Sequence, residues 1–149
     1  MSIEKILRES RSLVLDTSVL LGYFMNEELS IISLLDKYIF NEDSLLTLYG
    51  HNLLMTEIYY ILCRVKGISE AENVINTVEK IINIVDESWL FKKAGQIKCK
   101  YPIALSDCFS ISLGLFQNCP IFFLEERELS RDVIQKLTRD FNCKIYIVS

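Results

Sequence analysis

Four acidic positions stand where a carboxylate needs a reason. Asp16 closes the apolar run Ser12–Asp16 (SLVLD) and is followed by Thr17 and Ser18. Glu57 sits among Leu53, Leu54, Ile58, Ile61, Leu62 and Val65, four residues after one apolar position and four before another. That spacing places it within the inward stripe of a helix. An inward carboxylate is costly unless it is paired or coordinated, and Arg64 is the one cation on that helix positioned to snorkel back to it. Asp107 follows Ser106 at the head of a segment of small and apolar residues, where a helix dipole also favours an acid. The fourth acid lies in Leu124-Glu125-Glu126-Arg127-Glu128, after the run Ile121–Leu124, and is either Glu126 or Glu125.

Such a set offers hard oxygen ligands, which select Mg²⁺ or Mn²⁺ over zinc or copper. Two such ions about 4 Å apart activate a water and stabilise a leaving oxygen in phosphodiester hydrolysis. Each acid also has a plain structural reading. Asp16, Thr17 and Ser18 are all good helix caps, an acid in a first turn is worth only about 0.3–1 kcal/mol, and acids after a strand usually form a solvated loop. Asp86 follows an apolar run in the same way but has no companion motif. Thiol chemistry is a weak alternative. Cys63, Cys99, Cys108, Cys119 and Cys143 form no CxxC pair, and the only histidine, His51, is far from all of them, so a zinc site is not indicated.

The elements that must position these acids follow from periodicity. Ser12–Asp16 reads as a buried strand, followed by a short helix through Val19, Leu20 and Leu21. A helix from about Glu28 to Phe40 carries the stripe Leu29, Ile32, Leu35 and Ile39. Ser44–Tyr49 is a strand and Asn52–Val65 a helix that Gly67 stops, with Ser69 and Glu72 as a capping box for the next helix. Ile81–Val85 either ends that helix or forms a short edge strand. Glu87–Lys98 is helical up to Tyr101-Pro102, and Ser106 caps a helix to Phe116. A turn at Asn118–Pro120, a strand at Ile121–Leu124, a helix at Ser130–Phe141 and a strand at Lys144–Val148 complete the chain. Strands apolar on both faces and alternating with helices specify an α/β fold, a three-layer α/β/α sandwich around a mostly parallel sheet of four to five strands. In such a sheet ligands bind at the carboxyl ends of the strands, where Asp16 lies.

Length and composition agree. A chain of 149 residues, half of them hydrophobic, is the size of one domain over residues 1–149 and has enough apolar surface for a core. The net charge of −4 supplies no general basic field for nucleic acid, so phosphates would be held through a local patch or bound cations. The charged opening MSIEKILRES lacks an apolar signal core, and no run reaches the ~18 apolar residues of a membrane span. A soluble cytoplasmic protein is the expectation, with no membrane association.

These segments also carry a resemblance. LVLDTSVLLGYF resembles the opening strand and motif of PIN domains, TEIYYIL the second motif with its helical glutamate, and AGQIKCKYPIALSDCFSISLG the stretch before the third acid in VapC-like toxins. The ordered set covers nearly the whole chain. The resemblance implies a sheet of order 3-2-1-4-5 and a metal-dependent endoribonuclease acting on single-stranded RNA, with one or two Mg²⁺ or Mn²⁺ ions. It further implies the toxin of a toxin–antitoxin pair, a homodimer neutralised by a small antitoxin. Asp16, Glu57 and Asp107 then take the principal acidic and metal-ligating roles, and Ser18 supports Asp16. The fourth acid falls on Glu126, with Glu125 as the alternative, because LEEREL departs from the family's usual threonine and aspartate. A PIN fold that binds RNA or assembles without efficient cleavage is the alternative reading. A receiver-like phosphotransfer domain is disfavoured, since Lys144 begins its strand rather than ending it.

Overall fold

The structure is a computed structural model that describes residues 2–126 and 128–148; Arg127, inside the acidic run after the fourth strand, lies outside them. Five strands form one sheet: β1 (Ser12–Leu15), β2 (Thr47–Gly50), β3 (Ile82–Ile84), β4 (Ile121–Leu124) and β5 (Ile145–Val148). All pairings are parallel and the order is β3-β2-β1-β4-β5. Ile81–Val85 is thus resolved as an edge strand. Alternation along β1 sorts the layers, since successive side chains point to opposite faces. Leu13 and Leu15 join one buried cluster and Val14 the other.

The first face is covered by α1 (Ile3–Glu9), α2 (Thr17–Phe24), α3 (Leu29–Tyr38), α4 (Asn52–Lys66) and α5 (Ile68–Glu79). The second is covered by α6 (Phe91–Lys100), α7 (Leu105–Gln117) and α8 (Arg131–Phe141). This is the three-layer sandwich expected from the alternation of periods. No single described helix is long and apolar enough to cross a membrane.

Several local expectations are corrected. Helix α1 has no counterpart in the sequence reading; it is capped by Ser2 and buries Ile6 and Leu7. In α3 the inward residues are Ile31 and Leu35, with Ile39 buried at the helix's C-terminal cap, while Leu29 is 78% exposed. Strand β2 begins at Thr47 rather than Ser44, because Ser44 closes a turn by donating to the Tyr38 carbonyl. Ser69 and Glu72 form no capping box. Gly67, at φ 94°, both ends α4 and starts α5 without a side-chain cap, a conformation that suits a residue without Cβ, and Glu72 instead accepts from the Tyr59 hydroxyl. The helix expected from Glu87 begins as a 3₁₀ turn, Glu87–Trp89, with α6 starting at Phe91. Trp89 on that turn stacks on Phe116 near the end of α7, ring centres 5.9 Å apart, and stays 69% exposed. Ser106 does not cap α7 either; the cap position is Ala104.

Helix α7 lies tight against the sheet because Gly114 has no side chain. A Cβ there would sit 2.2 Å from Cγ1 of Ile121 on β4. That contact seats the last turns of α7 on the amino end of β4, while Ser110, earlier in the helix, reaches Asp16 at the carboxyl end of β1. The chain leaves β1 for β2 on one side and returns to β4 on the other, the switch point at which open parallel sheets bind ligands.

Candidate active site

Asp16 occupies that switch point. Its backbone N–H donates to the Phe122 carbonyl at 2.9 Å, and its side chain caps α2. Oδ2 accepts from the Ser18 N–H at 3.2 Å and the Ser18 hydroxyl at 3.0 Å. Ser18 Oγ in turn accepts from the Leu124 N–H at 3.1 Å, so one hydroxyl links the ends of two neighbouring strands. Asp16 is 2% exposed. Burial pushes its pKa up to about 6 against the lowering effect of Ser18, with the charges of Glu126 and Glu57 adding to the rise.

Glu57 stands on α4, half-buried. The fully inward stripe of α4 is Leu54, Ile58 and Leu62, so Glu57 lies at its edge rather than within it. That edge faces the site, because Thr17 donates to Glu57 Oε1 at 2.8 Å. Thr17, read from sequence as a helix cap, therefore positions an acid on another element. Arg64 does not pair with Glu57 among the described residues; its guanidinium lies over the Tyr60 ring at 5.1 Å.

Asp107 sits in the first turn of α7 and is 5% exposed. Its Oδ2 is buried without a hydrogen-bond partner among the described residues, as is the Ser106 hydroxyl beside it. Burial first, then the charges of Asp16, Glu126, Glu57 and Glu128, push its pKa up to about 8. Glu126 is half-buried and raised by burial and by Glu128 and Glu57, against a hydrogen bond with Ser18. Glu125 is exposed and is absent from the charges that act on Asp16 and Asp107. The fold thus brings Asp16, Glu57, Asp107 and Glu126 to one place and turns Glu125 away. Asp86 caps its own turn by accepting from the Ser88 N–H.

Two further residues had no signal in the sequence. His51 is fully buried, and its Nδ1 accepts from the Leu54 N–H at 3.0 Å, capping α4. The ring proton must then reside on Nε2, which lies 3.0 Å from Ser110 Oγ. Ser110 is fully buried on α7 and donates to Asp16 Oδ1 at 3.2 Å. Burial pushes His51 down to about 4, against the opposing charge of Glu87, so the ring is neutral at physiological pH. A directional chain runs from the α4 backbone through His51 and Ser110 to Asp16. It joins the three elements that carry Glu57, Asp107 and Asp16.

The start of α4 is held a second time. Glu87 accepts from the N–H groups of Asn52 and Leu53 and from the Asn52 amide. Burial opposes ionisation of Glu87, but these bonds outweigh it and keep its carboxyl below the usual range. Replacing Glu87 with Ala should cost on the order of 1 kcal/mol, as loss of a helix cap does. A depressed carboxyl stabilises above its unfolded pKa and loses that contribution as pH falls through the folded value. The deficit of Glu87→Ala should therefore be full at pH 7 and shrink toward pH 3 in denaturant melts.

The residues suit a hard divalent cation. The donor set is all oxygen, and Asp107 Oδ2 is a buried acceptor with no donor among the described residues. Among the described residues, however, no three His, Cys, Asp or Glu side chains form a ready-made metal cluster. Unneutralised carboxylates repel one another, so an ion would have to draw the ring inward.

The PIN domain profile matches residues 13–132. No curated protein matches the chain. Among solved structures, VapBC2 from Rickettsia felis bound to a promoter DNA fragment is similar with a TM-score of 0.64 at 13% identity, covering 91% of this chain and 98% of that one. DNA-bound VapBC from Salmonella typhimurium gives 0.63 at 12%, covering 93% and 98%. A toxin–antitoxin complex from Klebsiella pneumoniae gives 0.58 at 10%, covering 80% and 91%. At such identities the likeness concerns the fold.

Proposed function

The chain belongs to the PIN-domain family, and from that premise we propose that it is a Mg²⁺- or Mn²⁺-dependent endoribonuclease cutting single-stranded RNA. The observation that carries the reading is the convergence of Asp16, Glu57, Asp107 and Glu126 from four elements, with Asp107 Oδ2 left without a partner among the described residues. One or two bound ions, held by these four residues, would neutralise the scissile phosphate and lower the pKa of a water at the site. The protein's own part is orientation. Ser18 and Ser110 fix both oxygens of Asp16, and Thr17 occupies one oxygen of Glu57, leaving the other for the site. Asp107 holds a proton at neutral pH until a cation displaces it.

The similar VapBC and toxin–antitoxin structures support a toxin of a toxin–antitoxin pair with an antitoxin as partner; a second copy of the chain is part of the same proposal. A second reading, an RNA-binding module that does not cut, draws on the looseness of the acid ring. Incubating purified protein with an unstructured RNA, with and without EDTA, while measuring Mn²⁺ affinity by calorimetry, separates the two. Cleavage restored by Mg²⁺ or Mn²⁺ is the expected result. A variant with all five cysteines replaced should cut as well as the wild type if it folds, since three of the thiols are buried in the apolar core. EDTA-resistant cleavage, or ion binding without any cleavage, would defeat the reading.

A further inference from the structure

Beside the acids runs an open groove of about 680 Å³ between α4 and the start of α7. Three residues follow one another along the α4 side, the first two in the groove's wall and the third, Arg64, one turn beyond it. Glu57 and Tyr60 are three apart and Tyr60 and Arg64 four apart, so they follow one another along a helix face about 5–6 Å apart. Glu57 and Tyr60 both line the groove. Tyr60 is 42% exposed, and the Arg64 guanidinium lies over its ring at 5.1 Å. The opposite wall holds Leu105, half exposed, and Ser106. Ser106 is 5% exposed, and its buried hydroxyl has no partner among the described residues. An acid, an aromatic face and a cation in sequence, opposite an unsatisfied hydroxyl and an apolar side chain, match the parts of a nucleotide taken in turn.

We propose that this groove seats the nucleotide next to the scissile phosphate, its base stacked on Tyr60 and the phosphate beyond it held by Arg64. The proposal rests on the nuclease reading, which puts the scissile phosphate at Glu57 and Asp107. A strand cut there must leave along a neighbouring surface, and this groove begins at Glu57. Its volume lies in the range of small-ligand sites. Stacking on an aromatic face is tolerant of sequence, so the subsite adds affinity without choosing one base. Arg64 also supplies the local cation that a chain of net charge −4 requires. The acid at the groove's other end, Glu87, is occupied by the N-terminus of α4 and is offset by that helix's dipole.

The test is equilibrium binding of a short labelled single-stranded oligoribonucleotide to the full chain carrying Asp16→Asn to prevent cutting. Tyr60→Ala and Tyr60→Leu should weaken binding roughly 5- to 150-fold, the equivalent of one lost stack, whereas Tyr60→Phe should bind as Tyr60 does. A base-free oligomer with the same backbone should bind weakly to the Tyr60 protein and lose nothing more on Tyr60→Ala. Arg64→Gln should lower the slope of log affinity against log salt by about 0.7, one phosphate contact. Melting temperatures unchanged by Tyr60→Ala keep the readout on binding. If the unmodified protein cuts RNA but Tyr60→Ala binds it normally, the groove holds something else, such as a partner's side chain, and the proposal fails alone. If the unmodified protein neither binds nor cuts RNA, the nuclease reading fails and the subsite with it.

Discussion

Changing Asp16 or Asp107 to Asn should lower RNA cleavage by more than about a hundredfold while raising the stability of the metal-free protein. The first half follows from ligand loss, since even supporting partners of metal ligands cost 10–100-fold. Glu126→Gln should do less harm, because Glu126 is only half-buried and water can take over part of its role. The second half follows from the sign of the linkage. Asp16 is raised to about 6 and Asp107 to about 8. A carboxyl raised in the folded state keeps a proton that the unfolded chain has released, so stability falls as pH rises from the unfolded value toward the folded one. Between pH 6.5 and 8 His51, lowered to about 4, stays neutral in the folded protein and the acids dominate. Metal-free wild type should lose roughly 1–2 kcal/mol across that window, the work of releasing about one proton. Asp107→Asn should flatten most of that dependence, and Mn²⁺ should restore the wild type. Thermal melts at a series of pH values, with and without the ion, read all of this at once. Equal modest losses of activity for every acid, with melting temperatures falling in step, would make these side chains structural.

Disrupting His51 should produce the largest loss of stability of any single polar change. His51→Ala removes a helix cap, leaves the Ser110 hydroxyl and the Leu54 N–H without their buried partner, and opens a void beside Phe109, whose ring centre lies 5.9 Å away. Together these cost about 3 kcal/mol, which for a chain this size is roughly 6–12 °C in Tm. His51→Asn separates the roles. Asparagine caps a helix well but is too short to reach Ser110, so the fold should recover much of the loss while Mn²⁺ affinity and turnover stay about 10–100-fold down. Ser110→Ala should match that functional loss, and the double change should be no worse than either alone, because one chain is cut only once. Additive losses would mean that His51 and Ser110 reach the site by separate routes.

The parts legible in the sequence were those with a local pattern. Period-two and period-3.6 apolar spacing marks the five strands and seven of the eight α-helices, and the residue after a strand marks Asp16. The strand order came from the resemblance rather than from periodicity, which says nothing of which strands are neighbours. Glu57 is conspicuous as an acid amid leucines and isoleucines, although its place is the edge of the stripe. Ser106 shows how a residue type can mislead. It is a good cap by chemistry, yet α7 starts one residue before it and its hydroxyl is buried without a partner among the described residues. Ser110 lies 94 positions from Asp16, and Thr17 lies 40 from Glu57. No local spacing relates such pairs; only the closing of the sheet does. A lone histidine without cysteine partners gives no zinc signal in the sequence, whereas here His51 acts as a backbone cap and a donor.

The stack of Trp89 on Phe116 has a practical consequence for optical work. Trp89 is the only indole in the chain, and it rides on the same 3₁₀ turn whose Glu87 holds the N-terminus of α4. Because the ring is 69% exposed, its emission wavelength already resembles that of a solvated chromophore and will shift little on denaturation. Intensity and polarisation will instead follow whether the turn is docked against the end of α7. Intrinsic fluorescence in this protein is therefore a gauge of one latch on the acid-bearing helix, and circular dichroism is the measure of the whole.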